Sequence, residues 1–258
     1  MAKELESGWK REDCYFDKVQ GEFVVRHLIE SKIRGKVLDI ACGDGLLTTK
    51  ISEIPTVKSI CGLDAFEEAV AIAKQRQYKC PVSFTRSFFE DFPLNEKYDS
   101  ITAINILEHV NDHVSFLKQV KAMLSENGRA FIYVPNADSL HVLLAVKMGV
   151  IPDKYYLNRW QKEFVGHTIH YDMDLMMSHA TKAGLKIVDS GSIIFKPFSN
   201  SQLDYLLSAK DWDERTDNNA EVRGWAVSRQ KLFDGLYDLC KMPELNKYGS
   251  TLYMHCTA

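Results

Sequence analysis

A short apolar run that breaks into a glycine turn constrains this chain more than any other feature. Residues 37–40 read Val-Leu-Asp-Ile, and Gly43 and Gly45 follow them closely. Glycine lets the backbone approach a ligand where a Cβ would collide. Asp39 stands at the end of the apolar run, at the edge where open α/β sheets bind their ligands. The segment therefore predicts a buried parallel strand and a ligand-binding turn after it.

The turn excludes two common nucleotide sites. It lacks the third glycine and the spacing of a dinucleotide fingerprint, and it lacks the Gly-Lys-Ser/Thr end of a phosphate loop, so neither NAD nor ATP fits it well. Asp64 closes a second apolar strand further along the chain. An acid about twenty residues after the turn can accept both hydroxyls of a ribose. Asp64 could equally cap the helix that follows, and the two roles are compatible.

Apolar strands alternate with helical periodicity along most of the chain. Strands are predicted near 37–41, 59–63, 82–85, 98–104 and 130–135. This alternation predicts a doubly wound, mostly parallel sheet. Before the first strand, spacings near one helical turn predict a helical entry segment within residues 1–35, carried by Phe23, Val24, His27, Leu28 and Ile33.

The rest of the chain is less regular. Residues 137–175 break the rhythm and are expected to form a cap above the strand ends. We then expect a helix at 175–183, a strand at 185–189, a last antiparallel strand at 192–195 and a helical tail. Together, residues 1–258 are interpreted as one domain, with a nucleotide-binding half at 36–136 and the end of the sheet within 176–258.

Composition narrows the function. The chain has 258 residues, is 45% hydrophobic and carries a net charge of -3. That charge gives no basic footprint for nucleic acid. Six cysteines without a Cys-x-x-Cys pair indicate neither a metal site nor a disulfide framework. With no membrane-length apolar stretch and no signal peptide, we expect a cytoplasmic protein without membrane contact. A homodimer is one of the oligomeric states left open.

Four ordered motifs share one resemblance. Residues 39–45, 87–93, 98–110 and 124–136 resemble motif I, the adenine-side loop, the fourth strand ending in Leu-Glu-His-Val, and the helix, glycine turn and fifth strand of class I S-adenosylmethionine-dependent methyltransferases. The resemblance implies a Rossmann-like sheet of seven strands. It also implies S-adenosylmethionine as cofactor and S-adenosylhomocysteine as product.

The resemblance also assigns the cofactor residues. Ala41 stands where the family usually has its first glycine, and Phe88 where many relatives have an aspartate, so we assign the adenine to the Phe89 backbone and Glu90. Asn105 and Ile106 line the methionine arm by position, and Glu108 and His109 are expected to open the next helix. The assigned cofactor residues are Asp39, Ala41, Gly43, Gly45, Asp64, Ala65, Phe89, Glu90, Asn105 and Ile106.

The cap and its neighbours are expected to choose the methyl acceptor, because the nucleotide half is generic. A neutral alcohol needs a base, whereas an ionised oxyacid needs only positive partners. Each histidine could instead serve a structural role. The proposed catalytic residues are His167, Lys196, Tyr15 and His109. The proposed substrate-binding residues are Arg159, Tyr171, His170 and Tyr155.

Residues 136–171 loosely resemble a bacterial branch acting on small metabolites and on saccharide or phosphonate precursors. The first hypothesis is therefore O-methylation of a small molecule, either anionic (phosphonate-, phosphate- or phosphoramidate-like) or sugar-like. A quinone-type or other hydroxyl acceptor is the alternative, and it would favour an apolar cap and an essential histidine base. A non-catalytic subunit that binds S-adenosylmethionine is a third possibility.

Overall fold

The computed structural model describes residues 15–198, Leu203 and residues 229–258, except for the side chains of residues 15–18 and Arg229. Seven strands form one sheet. They are β1 (Gly35–Ile40), β2 (Val57–Asp64), β3 (Val82–Arg86), β4 (Tyr98–Ile104), β5 (Leu124–Pro135), β6 (Lys186–Ile193) and β7 (Thr251–Thr257). Their order is β3-β2-β1-β4-β5-β7-β6, and β7 runs antiparallel to both of its neighbours.

Helices cover both faces of this sheet. They are α1 (Tyr15–Glu30), α2 (Leu46–Ser52), α3 (Glu67–Ala73), α4 (His113–Met123), α5 (Leu140–Lys147), α6 (Met173–Lys182) and α7 (Arg229–Leu239). A short 3₁₀ helix spans Phe89–Asp91 and a π-helical turn spans Gln161–Val165. The expected doubly wound, mostly parallel seven-stranded sheet is confirmed.

The core has two layers, one on each face of the sheet. Leu38 and Ile40 pack with Phe116 of α4 on one face. Val37 packs on the other face, where Phe23 of α1 and Tyr237 of α7 also lie. This division follows from the period of two along a strand, which sends neighbouring side chains to opposite faces.

Helix α1 (Tyr15–Glu30) lies within the segment in which helical spacing occurs. Phe23, Val24, His27 and Leu28 lie in α1 and are buried, as is Ile33 just beyond the helix. Among the described residues, no helix has the length and apolar character that crossing a bilayer requires.

Two predictions for the second half of the sheet are wrong. Strand β5 begins at Leu124 rather than at residue 130, because Leu124 already pairs with Tyr98 of β4. Residues 192–195 are not a separate strand, since Ser192 and Ile193 belong to β6 and Ile194 leaves it with a φ of 57°. The antiparallel strand is β7, in the segment that was expected to be a helical tail.

Candidate functional site

The acid at the end of β1 braces the turn that follows it. Asp39 is buried, and its Oδ2 accepts a hydrogen bond from the Thr48 hydroxyl of α2 at 2.6 Å. Its Oδ1 accepts another from the Thr102 hydroxyl of β4 at 2.8 Å. Burial raises the pKa of Asp39, and the two hydroxyl bonds oppose that rise. The carboxylate therefore ties β1, β4 and the start of α2 into one unit.

The turn consists of residues in the left-handed backbone conformation, and there is open space beside one of them. Ala41, Gly43 and Gly45 have φ values of 57°, 54° and 75°. A Cβ built on Gly43 would meet nothing within 4 Å, whereas one on Gly45 would collide with the Tyr78 hydroxyl. Gly45 is thus required by packing. Gly43 leaves the space that a ligand lying against the backbone needs.

The acid at the end of β2 faces the same turn. Asp64 Oδ2 accepts the Gly43 backbone N–H at 2.8 Å, and its Oδ1 accepts that of Phe66 at 2.9 Å. Burial raises the pKa of Asp64, and these backbone bonds lower it. An ionised carboxylate has about four acceptor positions, so acceptor capacity remains for the two hydroxyls of a ribose. With the open space at Gly43, the residues fit an adenosine-containing cofactor.

The other assigned cofactor residues surround this edge of the sheet. Phe89 packs its ring against Phe116 at 4.5 Å between centroids, so its backbone is the part left for a ligand. Glu90 and Asn105 are exposed, and Ala65 and Ile106 are partly buried. Asn105 has a φ of 52° and donates its N–H to the Tyr133 carbonyl at 2.9 Å.

A second polar centre lies beyond the end of β4. Glu108 is only 2% exposed, and within the described chain neither of its carboxylate oxygens has a hydrogen-bond partner. Burial raises its pKa to about 8. The His109 and His167 rings stand edge to face, with centroids 4.9 Å apart. One ligand atom from each of these three residues lies within 4.8 Å of the others, a donor set that a divalent cation also accepts.

Further histidines extend this centre toward β6. Burial first, and then the neighbouring His109 and His170, together lower the pKa of His167 to about 4. Burial lowers the pKa of His141 to about 3, with nearby Lys196 as the next cause. The pKa values of His109 and His170 are also lowered by burial. These imidazoles are therefore uncharged at neutral pH.

Four unpartnered polar atoms belong to residues of this region. They are the two oxygens of Glu108 and the Nδ1 atoms of His167 and His170, none of which finds a hydrogen-bond partner in the part of the chain described. A buried polar group without a partner costs about 1–3 kcal/mol, so such a concentration calls for a bound molecule.

Of the proposed acceptor residues, His109 and His167 lie together beside Glu108, and His170 lies near His167. Lys196 lies near His141, which also neighbours His170. The structure places Arg159 elsewhere, since 82% of that side chain is exposed and it pairs with Glu163 at 2.7 Å.

The three tyrosines proposed for the acceptor have other surroundings. Tyr171 is fully buried, with its hydroxyl 2.9 Å from His179 Nδ1. The Tyr155 hydroxyl donates to Asp172 at 2.5 Å. The side chain of Tyr15 lies outside the described residues.

Sequence reasoning misplaced Glu108 and missed His141 and Lys154. Helix α4 begins at His113, so Glu108 and His109 precede it rather than opening it. Lys154 ties the two ends of the cap segment together, because its Nζ donates to Asp138 at 2.9 Å and to Asp172 at 2.7 Å. An acid inside the apolar run Leu-Glu-His-Val was the available signal for Glu108.

The chain is similar to several known proteins. A family model described as a methyltransferase domain matches residues 18–190. The ubiquinone biosynthesis O-methyltransferase of Haemophilus ducreyi is 31% identical over 146 residues, 52% of this chain and 59% of that protein. The mitochondrial enzyme of the same name from Candida albicans is 29% identical over 138 residues, 48% of this chain and 42% of that protein. The chain thus spans roughly half the length of these curated relatives.

Solved structures agree on the fold. The cyclopropane synthase MmaA2 from Mycobacterium tuberculosis superimposes with a TM-score of 0.59 at 17% identity, covering 96% of this chain and 87% of its own. A Mesorhizobium loti S-adenosylmethionine-dependent methyltransferase superimposes with a TM-score of 0.59 at 14% identity. The match covers 92% of this chain and 98% of that protein.

The family match spans the sheet from α1 into β6, including the whole carboxyl edge on which the turn and both acids lie. It confirms S-adenosylmethionine as the cofactor expected from the sequence. The chain belongs to the methyltransferase domain family, among the class I S-adenosylmethionine-dependent methyltransferases.

Proposed function

We propose that this protein transfers the methyl group of S-adenosylmethionine to a hydroxyl oxygen on a planar ring that carries an apolar substituent, as in a quinone precursor. The observation that carries the proposal is the buried group of unpartnered atoms around Glu108, His167 and His170. The curated relatives support it, because their names specify O-methylation in ubiquinone biosynthesis.

The charge state of the centre favours a neutral acceptor. The lowered pKa values of His109, His141, His167 and His170 remove the positive charges that an ionised phosphonate or phosphate would need. Lys196 supplies a positive charge near His141 among the described residues. A neutral hydroxyl, in contrast, needs a proton acceptor within reach. The anionic and sugar-like acceptors expected first are accordingly less well supported than the quinone-type alternative.

The cap offers an apolar surface for the substituent. Large apolar side chains in this segment are exposed, which is uncommon for one short stretch of a soluble chain and marks a binding surface. They are Leu140, Leu144, Met148, Val150, Tyr155, Tyr156, Trp160 and Phe164. A ring with an apolar tail could place its hydroxyl near Glu108 and its tail along this surface.

The roles of the residues follow from this arrangement. S-adenosylmethionine supplies an electrophilic methyl group on a sulfonium. Asp64 and the backbone at Gly43 hold the adenosine, and Asp39 fixes the turn. Glu108, once ionised, accepts the proton of the ring hydroxyl, and His109 and His167 orient that hydroxyl. Burial of Glu108 excludes water from the transfer.

Four acceptors of graded chemistry test the proposal. A 3-alkylcatechol, unsubstituted catechol, an alkyl phosphonate with the same tail and a simple sugar are each incubated with the protein and S-adenosylmethionine, and products are identified by mass spectrometry. We expect O-methylation of the alkylcatechol, with a lower kcat/KM for catechol because the tail contacts are absent. Methylation of the phosphonate or the sugar with an inert alkylcatechol would refute the proposal.

A further inference from the structure

A separate cavity lies on the face of the sheet that carries α1 and α7. Its volume is about 500 Å³, and its walls come from the ends of α1 and α7 and from β5, β6 and β7. Small-molecule sites usually measure about 300–1,000 Å³. Neither the assigned cofactor residues nor the polar centre around Glu108 contributes to its lining.

One wall of the cavity is built from flat rings. His27 and Tyr253 have ring centroids 4.2 Å apart, and Tyr253 and His255 have theirs 5.0 Å apart. The Tyr133 hydroxyl lies 2.9 Å from His27 Nδ1 and 3.4 Å from His255 Nε2, which fixes both imidazoles from behind. The rings are tilted by 56° and 35° to one another, so this wall offers both ring faces and ring edges to an aromatic ligand.

The lining of the cavity carries one more positive than negative charge, since Lys32, Arg129 and Lys241 face Glu30 and Asp189. Glu30 is engaged by Lys241 at 3.2 Å, and Asp189 faces His255 at 3.5 Å. The Arg129 guanidinium donates one hydrogen bond to the Ser31 carbonyl at 3.1 Å, and it has no carboxylate partner in the described chain.

The Lys32 side chain, which also lines the cavity, has no hydrogen bond or ion pair to any residue that the structure describes. The Lys32 backbone N–H donates to the Ile29 carbonyl at 3.0 Å. Two cations without acidic partners, beside a wall of rings, match a ring that bears one negative group.

We infer that this cavity binds a small planar aromatic monoanion, separately from the cofactor and the methyl acceptor. The ring packs against Tyr253 and His27, and the anionic group meets Lys32 and Arg129. The cavity lies on the α1 and α7 face of the sheet, whereas the cofactor residues lie at its carboxyl edge. Tyr133 connects them, because its side chain holds the ring wall while its carbonyl accepts the Asn105 N–H of the cofactor edge at 2.9 Å.

Binding of 2-naphthoate to the whole protein, saturated with S-adenosylhomocysteine, tests the inference by calorimetry. The uncharged 2-naphthamide is the matched ligand control. We expect naphthoate to bind at one site, and Lys32→Gln and Arg129→Gln each to weaken it about tenfold, the scale of one lost charge-assisted contact. Lys58→Gln, on exposed β2 surface, should leave the affinity unchanged.

Lys32→Gln is the decisive variant, because the Lys32 side chain has no hydrogen bond or ion pair to lose among the described residues, whereas Arg129→Gln also removes the bond to Ser31. Equal binding of naphthamide and naphthoate, or an affinity unaffected by Lys32→Gln, would overturn the inference. So would displacement of naphthoate by an alkylcatechol in direct competition, because that would place the probe in the acceptor site.

Discussion

The Nε2 atom of His109 lies 3.8 Å from the Oε1 atom of Glu108, yet neither carboxylate oxygen of Glu108 has a hydrogen-bond partner in the described chain. The carboxyl is buried and the imidazole is uncharged at neutral pH, so the pair does not neutralise itself as an ion pair. The proposed ring hydroxyl would supply the hydrogen-bond partner that the Glu108 carboxyl lacks. Substituting Glu108 should therefore have a large effect on this centre.

Glu108 should make the folded state less stable as the pH rises. Its folded pKa of about 8 exceeds the unfolded value of 4.5. The protonated group therefore favours folding below pH 4.5, and this stability is lost as the pH rises toward about 8. We expect Glu108→Gln to show a smaller fall in the free energy of unfolding across that window, measured by urea titration. Parallel curves for wild type and variant would contradict the shift, and exposed Glu126→Gln is the control.

Ala41 should be a site of removable strain. Its φ of 57° places its backbone in the left-handed region. That conformation costs roughly 1–2 kcal/mol for a residue that carries a Cβ. Ala41→Gly should therefore stabilise the fold by about 0.5–1 kcal/mol after the greater unfolded-state entropy of glycine is subtracted. Chemical denaturation checks this. Ala71→Gly, exposed within α3, should instead cost about 1 kcal/mol, and a similar loss at both positions would refute the strain at Ala41.

Asp64 should contribute directly to cofactor affinity. Asp64→Asn keeps the size of the side chain and an acceptor for the Gly43 N–H but removes the charge. We expect S-adenosylmethionine binding to weaken by about 1.5–3 kcal/mol, the worth of hydrogen bonds to a charged group. Isothermal titration measures it, with exposed Asp174→Asn as the control. A folded Asp64→Asn protein with undiminished affinity would remove the ribose assignment.

Lys154 should act on the acceptor rather than on the cofactor. Its ammonium bridges Asp138 and Asp172, and these partners raise its pKa despite the opposing effect of burial, which is the largest single cause. Lys154→Met should loosen the cap and raise the KM for an alkylcatechol about three- to tenfold, a loss of roughly 0.7–1.4 kcal/mol. The affinity for S-adenosylmethionine should stay constant. Exposed Lys162→Met tests whether any lysine of the segment has this effect.

The first half of the fold could be predicted because its signals are local. The strand at 98–104 and the glycine turn after β1 are encoded by neighbouring residues, and the structure has them there. Strand β7 could not be found this way. It pairs with β5 and β6, which lie far back along the chain, and its sequence looks no different from a buried helix.

The acceptor site was harder to predict for the same physical reason. His167 and Lys196 could be anticipated as chemically suitable types, but their convergence depends on how the cap folds back over β4. Arg159 has a suitable type as well, yet its helical turn directs it to Glu163 on the surface. Glu108 lacks a hydrogen-bond partner because the tertiary fold buries it. The apolar sequence around it does not predict that burial.

A single-turnover measurement on Glu108→Gln tests the central claim most directly. Wild type and variant are mixed with saturating S-adenosylmethionine and a 3-alkylcatechol, and the methylated product is followed at a pH above 8, where Glu108 is ionised. We predict a rate lower by about 10²–10⁴-fold in the variant, the usual contribution of a positioned base, with unchanged cofactor affinity. Equal rates in the two proteins would contradict the account.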